Sequence, residues 1–327
     1  MKYRIFGRLG WQVSEIGFGG WAIGGTGWGP QQDSESVRAL HRALDLGCNF
    51  IDTAQGYGDG HSEQIIGRVL KERRGDRIYV ATKIPPVPGS WPPSPYDKIA
   101  DRYPEAYLRT RIESSLQNLQ TDCLDLLQLH TWTRAWNRHP TALEVLRQLQ
   151  KEGKLRGIGI STPEQDQNSL VDLMRGGWLD AVQVIYNIFE QEPAAEFLPT
   201  ALEYKVGVIV RVVFDEGALT GKFTAETEFS EGEFRNHYFA GDRLARTVRR
   251  VDRIEAAIGT AEPDVATAAL KFALKPAAVA TVIPGMRNER QAEMNCGVSS
   301  QEPMTDTLEA KLREQAWRRG VWYSGKD

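Results

Sequence analysis

Eight short β-branched or apolar runs recur along this chain, separated by longer stretches of helical spacing, and this alternation limits what the chain can fold into. The runs are EIGFGG (15–20), NFIDTA (49–54), IYVATKI (78–84), CLDLLQLH (123–130), LRGIGIS (155–161), AVQVIYN (181–187), VGVIVRV (206–212) and VATVIPG (279–285). Parallel strands require long crossover connections, and helices supply them. Between the runs, SESVRALHRALDLG, SEQIIGRVLKERRG, PEAYLRTRIESSLQNLQ, PTALEVLRQLQKEG, PEQDQNSLVDLMRGG and EPAAEFLPTALEYK each place apolar residues on one helical face. Ser34 or Ser36, and Ser62 with Glu63, read as helix starts, while DLGCN, KEGKL and GGWLD put glycine where helices stop.

The pattern predicts an α/β fold, a (β/α)8 TIM barrel with long βα loops, as one domain over residues 1–327. YRIFGRLGWQVS, turning at Gly7 to Gly10, reads as an N-terminal β-hairpin that plugs the barrel floor. A doubly wound open sheet is the rival, and it requires a glycine-rich turn that opens a helix after the first strand. GFGGWAIGGTGWG has the glycines, but helical spacing resumes only near Ser36.

Composition narrows the function. A net charge of −3 argues against a nucleic-acid partner. No apolar run approaches the roughly 20 residues of a membrane helix, and MKYRIFGRLG is too polar for a secretory signal, so a cytoplasmic location and no membrane partner are expected. Cys48, Cys123 and Cys296 match neither a disulfide framework nor a zinc spacing, and no metal is expected.

Two connections exceed what barrel turns need, residues 85–104 and 215–241, and both follow strands. In a barrel both stand on the same rim. The first carries six prolines between residues 85 and 95, with Trp91 and Tyr96, and reads as a substrate-pocket wall or as a plain insertion.

Parallel strands also bring their last residues to one rim, and those of the second, third and fourth runs include Asp52, Lys83 and His130. Buried charges are costly unless paired, so Asp52 and Lys83 are expected to pair. With Tyr57 in the loop after Asp52 they make an acid–base set. Asp52 orients Lys83, and the ammonium against the phenol is expected to lower the Tyr57 pKa from its usual value of about 10. Tyr57 then donates a proton to a carbonyl oxygen, with His130 adding a hydrogen bond. Such a site lacks a reductant of its own.

The stretches IDTAQGYGDGHSEQIIG, YVATKI, DCLDLLQLH, GKLRGIGIS, VIYN, EGALTGKF and VIPGMRNERQAEMN, in this order, resemble the aldo-keto reductases over essentially the whole chain. A bacterial-type, NADP(H)-dependent branch is the implied home. The resemblance implies that NADP(H) supplies a hydride, that aldehydes or ketones are reduced or a sugar or polyol oxidised, and that Asp52, Tyr57, Lys83 and His130 are the catalytic tetrad with Tyr57 as general acid/base. It places Gly20 and Trp21 among the cofactor-binding residues, and Ser161, Gln183 and Arg211 at the nicotinamide end of the cofactor. Ser161 and Gln183 hold the carboxamide, and the residue after Ser161 is here Thr162, followed by Pro163, rather than asparagine. Arg211 replaces a stacking aromatic residue, and either stacks itself or pairs with Asp215 or Glu216.

By the same resemblance Gly217, Leu219, Gly221 and Lys222 wrap the pyrophosphate. Gly285, Arg287, Gln291 and Asn295 form the adenine end, with Arg287 on the 2′-phosphate and Arg290 as its competitor. Trp21, Trp91 and Trp132 fall on expected rim loops and read either as walls of the substrate pocket, with Trp136, Tyr238 and RRGVWYSG completing it, or as plain core. Two other functions stay open: an NADP(H)-binding regulatory subunit with little turnover, and a Schiff-base aldolase using Lys83, against which Asp52 keeps the amine charged. The physiological carbonyl or sugar, the direction of reaction and the oligomeric state stay open as well.

Overall fold

The computed structural model describes residues 1–317, so the terminal segment RRGVWYSG lies outside the described residues. Strands β1 (Tyr3–Phe6) and β2 (Trp11–Ser14) pair antiparallel, and all eight expected runs form the parallel strands β3 (Phe18–Gly19), β4 (Phe50–Asp52), β5 (Tyr79–Ile84), β6 (Leu124–Leu129), β7 (Leu155–Ser161), β8 (Ala181–Ile185), β9 (Gly207–Arg211) and β10 (Val279–Val282). The eight neighbour one another in sequence order. The sheet closes between its ends, where Gly17 N–H donates to Val282 O at 2.8 Å, Val282 N–H to Glu15 O at 2.9 Å and Gly19 N–H to Pro284 O at 3.0 Å.

The hairpin is the expected plug. Phe6 is fully buried, and with Val13 it packs on Phe50, Tyr79, Ala81, Leu126, Ala181 and Ile209 inside the barrel floor. The fit is close: a Cβ on Gly207 would come within 2.7 Å of the Phe6 ring, so the first residue of β9 has no room for a side chain.

Side chains alternate across a strand, which sorts the barrel into layers. Phe50, Ala81, Leu126, Ala181 and Ile209 point inward, whereas Ile51, Val80, Leu127, Val182 and Val210 belong to the larger core under the helices. Two residues further along, the inward positions become Asp52, Lys83, Gln128, Gln183 and Arg211, with Ser161 facing Gln183 in the register. An apolar floor is thus overlaid by a polar layer near the carboxyl ends of the strands, the face that carries active sites in barrels of this kind.

The helix starts differ from expectation. The first helix runs Asp33–Asp45 after Gln32, and the second His61–Glu72 after Gly60, with no side-chain cap on either. The serines have other partners: Ser36 Oγ donates to Gln32 O at 3.2 Å, and buried Ser62 bonds Gly20 O and Thr53 Oγ1, each at 2.8 Å. The stops are as expected, with Gly47 (φ 88°) and Gly153 (φ 79°) left-handed just past helix ends, where glycine carries no steric penalty. PEQDQNSLVDLMRGG forms only a 3₁₀ turn, Gln167–Leu170, and a short helix, Val171–Arg175. Both long loops hold small helices, Ile99–Arg102 in the first and Phe234–Tyr238 in the second. Among the described residues no helix is long and apolar enough to cross a membrane.

Candidate active site

Lys83 is the hub of the polar layer. Its side chain is wholly buried, and Nζ donates to Asp52 Oδ2 at 2.6 Å, Thr53 O at 2.8 Å and Tyr57 Oη at 3.3 Å. The other carboxylate oxygen of Asp52 accepts from Gln183 Nε2 at 2.6 Å and Gln128 Nε2 at 3.4 Å, and Gln183 Oε1 in turn accepts from Ser161 Oγ at 3.4 Å. A buried carboxylate needs such partners, and here the ammonium and two amides offset burial only in part, so the Asp52 carboxyl is still held above its usual range.

Tyr57 reaches this hub from a tight loop, in which Tyr57 N–H donates to Ala54 O at 3.0 Å. The loop crosses Gly24 so closely that a Cβ there would lie 2.8 Å from the Tyr57 carbonyl carbon. Trp21 stacks on the Tyr57 ring with centroids 6.0 Å apart, and His130 stands edge-on to it at 5.7 Å. Trp91, 55% exposed, meets His130 edge-on from the proline-rich loop at 5.3 Å. Asp52, Tyr57, Lys83 and His130 therefore meet at one rim, beneath Trp21 and Trp91.

The charge states follow from burial and neighbours. Burial pulls the Lys83 ammonium down, but Asp52 and Tyr57 more than offset it, and its pKa is raised. For Tyr57 the sequence-based direction is reversed: burial pushes the phenol up and outweighs the pull of Lys83, so Tyr57 keeps its proton at neutral pH. Burial, Lys83 and Arg211 hold His130 well below the usual imidazole range, so it is neutral.

The remaining expected site residues are placed unevenly. Arg211 closes the polar layer, but it pairs with neither Asp215 nor Glu216; Nη2 donates to Thr162 O at 3.0 Å and Nη1 lies 3.6 Å from Glu164. Gly20 N–H donates to Asp52 O at 2.8 Å, and a Cβ would come within 2.7 Å of that oxygen, so Gly20 is required for packing against β4. Leu219 is fully buried core, and only its backbone can serve a ligand. Lys222 is exposed. Arg287, Gln291, Gly285 and Asn295 come together, with Arg287 N–H on Gln291 Oε1 at 2.7 Å and Asn295 Nδ2 on Gly285 O at 3.4 Å, while Arg290 is exposed.

Trp132 is a correction. It is fully buried, donates Nε1–H to Asn137 Oδ1 at 2.8 Å, packs edge-on against Trp136 and offers no surface to a pocket. Trp136 is also buried and donates to Asp97 O at 2.7 Å, bracing the proline-rich loop from behind. Tyr238 donates to Asp215 Oδ1 at 2.9 Å. Gln128, Gln31, Trp28 and Phe234 were not anticipated. Gln128 carried a signal, since it falls on the inward period of β6 two residues after Leu126. The others meet through loop contacts, Trp28 edge-on to Trp21 at 5.4 Å and Phe234 tilted on Trp21 at 5.4 Å.

The turn after β9 is strained and charged. Asp215 (φ 48°) and Glu216 (φ 56°) are non-glycine residues in the left-handed region, ahead of Gly217 (φ 100°). Burial and Glu164 push the Glu216 carboxyl up to about 7, against Arg211, Arg235 and Arg243. A raised carboxyl contributes stability below its ordinary value of 4.5 and loses it as pH rises through about 7. Glu216→Gln is accordingly expected to stabilise the protein at pH 8 by on the order of 3 kcal/mol, with the gain vanishing toward pH 4.5. Thermal melts of both proteins across that range check the sign.

A polar acid–base layer thus stands at the mouth of a parallel barrel, and comparison with known proteins gives its family. The chain matches the Aldo/keto reductase family over residues 15–314, and it belongs to that family. It is an oxidoreductase. It is 36% identical over 239 residues to the aldo-keto reductase YhdN of Bacillus subtilis, covering 72% of this chain and 69% of that one. It is 27% identical to the NADH-specific methylglyoxal reductase of Escherichia coli, covering 97% and 98%. Among solved structures it resembles the glycerol dehydrogenase AKR11B4 of Gluconobacter oxydans, with a TM-score of 0.78, 28% identity and coverage of 96% and 94%.

Proposed function

We propose that this enzyme reduces small aldehydes or ketones with NADP(H), or runs the reverse oxidation of a sugar or polyol, with Tyr57 as the general acid/base. The observation that carries the reading is the Lys83 ammonium, held between the Asp52 carboxylate and the Tyr57 hydroxyl. The names of the methylglyoxal reductase and glycerol dehydrogenase relatives support small oxygenated substrates.

The residues present fit a dinucleotide. His130 Nδ1, Thr162 Oγ1 and Arg211 Nε are buried beside the carboxyl ends of β6, β7 and β9 without a hydrogen-bond partner among the described residues, and buried polar atoms call for one. Ser161, Gln183, Thr162 and Arg211 would hold the nicotinamide end, although the Gln183 amide N–H₂ is already engaged by Asp52. The backbone of residues 217–221, with Lys222, would hold the diphosphate, and Arg287, Gln291 and Asn295 the adenosine end. The dinucleotide, when bound, would supply the hydride.

The chain's own groups then do the rest. Protonated Tyr57 donates its hydroxyl proton to the carbonyl oxygen, and neutral His130 offers that oxygen an N–H. Lys83 stabilises the phenolate left behind at 3.3 Å, and Asp52 fixes Lys83 in place. In the oxidative direction the phenolate accepts the proton. A Schiff base on Lys83 needs a neutral amine, which Asp52 opposes.

Titration of the protein with NADPH, followed by fluorescence, and then NADPH consumption with a panel of aldehydes, ketones and sugars test the reading. Saturable binding with turnover is expected. Binding with no turnover on any carbonyl would overturn the reductase in favour of a cofactor-sensing subunit.

A further inference from the structure

Arg287 is held in an unusual way for a cation in an acidic neighbourhood. Its Nε–H donates to Gln31 Oε1 at 2.8 Å, Nη2 donates to Pro30 O, and Gln31 Nε2 returns a hydrogen bond to the Arg287 carbonyl at 2.8 Å. One amide side chain thus grips both the guanidinium and the backbone of the same residue. Gln31 is itself fixed by Ser36, with Nε2 on Ser36 Oγ at 3.1 Å. The carboxylates that follow Arg287 are paired elsewhere: Glu289 lies 3.3 Å from Arg38 and Glu293 2.8 Å from Arg42, both on the helix Asp33–Asp45. Among the described residues Arg287 has no ion-pair partner.

A guanidinium has five N–H groups, and two of these are used here, so three remain in a fixed plane with the full charge uncompensated. We infer that Gln31 is the positioning residue that sets dinucleotide preference, by aiming Arg287 at a 2′-phosphate without neutralising it. The inference rests on the NADP(H) reading above and extends it to a residue some 256 positions away in the chain. The choice of amide matters physically. A carboxylate at position 31 would make the same contact to Nε but cancel the charge that a phosphate monoester rewards, whereas a dinucleotide with a free 2′-hydroxyl gains little from that charge.

The test compares Gln31→Glu, Gln31→Ala and Arg287→Ala with the parent protein, using fluorescence titration with NADPH and with NADH at low and moderate salt. Gln31→Glu is expected to raise the ratio of the NADPH to the NADH dissociation constant by about tenfold or more. It should also flatten the salt dependence of NADPH binding. Gln31→Ala, which loses orientation but keeps the charge, should raise the ratio only a few-fold, and adding Gln31→Glu to Arg287→Ala should change nothing further. Thermal melts confirm that each variant is folded. A folded Gln31→Glu protein with the parent's ratio overturns the inference alone. A parent protein that binds neither dinucleotide overturns the NADP(H) reading and takes the inference with it.

Discussion

Tyr57→Phe is expected to lower kcat/KM for carbonyl reduction by about 10² to 10⁴ while the protein stays folded. The substitution removes one oxygen and keeps the ring that lies against Trp21, His130 and the Lys83 ammonium. Lys83 still has Asp52 and Thr53 as acceptors, so no buried charge is orphaned. What disappears is a proton donor that burial keeps protonated at neutral pH and that also touches a cation able to stabilise its conjugate base. Steady-state consumption of NADPH, measured beside a thermal melt, separates this loss from unfolding. Parent-like turnover with Tyr57→Phe would contradict the assignment.

The second large effect falls on stability. Lys83→Met leaves the Asp52 carboxylate buried with two amide donors and no cation, and removing one partner of a buried pair costs about 3–5 kcal/mol. The double change Lys83→Met with Asp52→Leu removes both charges and is expected to recover much of that loss, because an apolar pair of similar volume needs no compensation. Neither protein should reduce carbonyls, since Tyr57 has lost the group beside its hydroxyl. Urea unfolding of the single and double variants reads the difference. A Lys83→Met protein as stable as the parent would contradict the cost assigned to the unpaired carboxylate.

Much of this architecture was legible in the sequence because it obeys short-range rules. The strands announced themselves as apolar runs, and the alternation that sets Phe50 below and Asp52 above also sets Leu126 below Gln128. Asp52 and Lys83 were readable as a pair because a charge at the end of a buried strand has few other solutions.

The misses share a different origin. Ser36 and Ser62 look like helix caps locally, yet Ser62 is drawn inward to Gly20 and Thr53 by the closing barrel. Trp132 sits at a strand end as a pocket residue would, but the helical segment that follows brings Asn137 and Trp136 over it. The direction of the Tyr57 shift depends on how deeply the ring is buried, a property of the assembled site rather than of any spacing. The Gln31–Arg287 grip joins opposite ends of the chain and exists only because β10 returns beside β3.

Direct hydride transfer to a carbonyl carbon, with the proton supplied by the chain, leaves its mark on the product. Turnover with NADPH deuterated at both C4 positions, followed by mass spectrometry of the alcohol, reads that mark. A single deuterium bound to the former carbonyl carbon is expected, with the hydroxyl proton exchanging with water. An alcohol formed without deuterium at that carbon would contradict it.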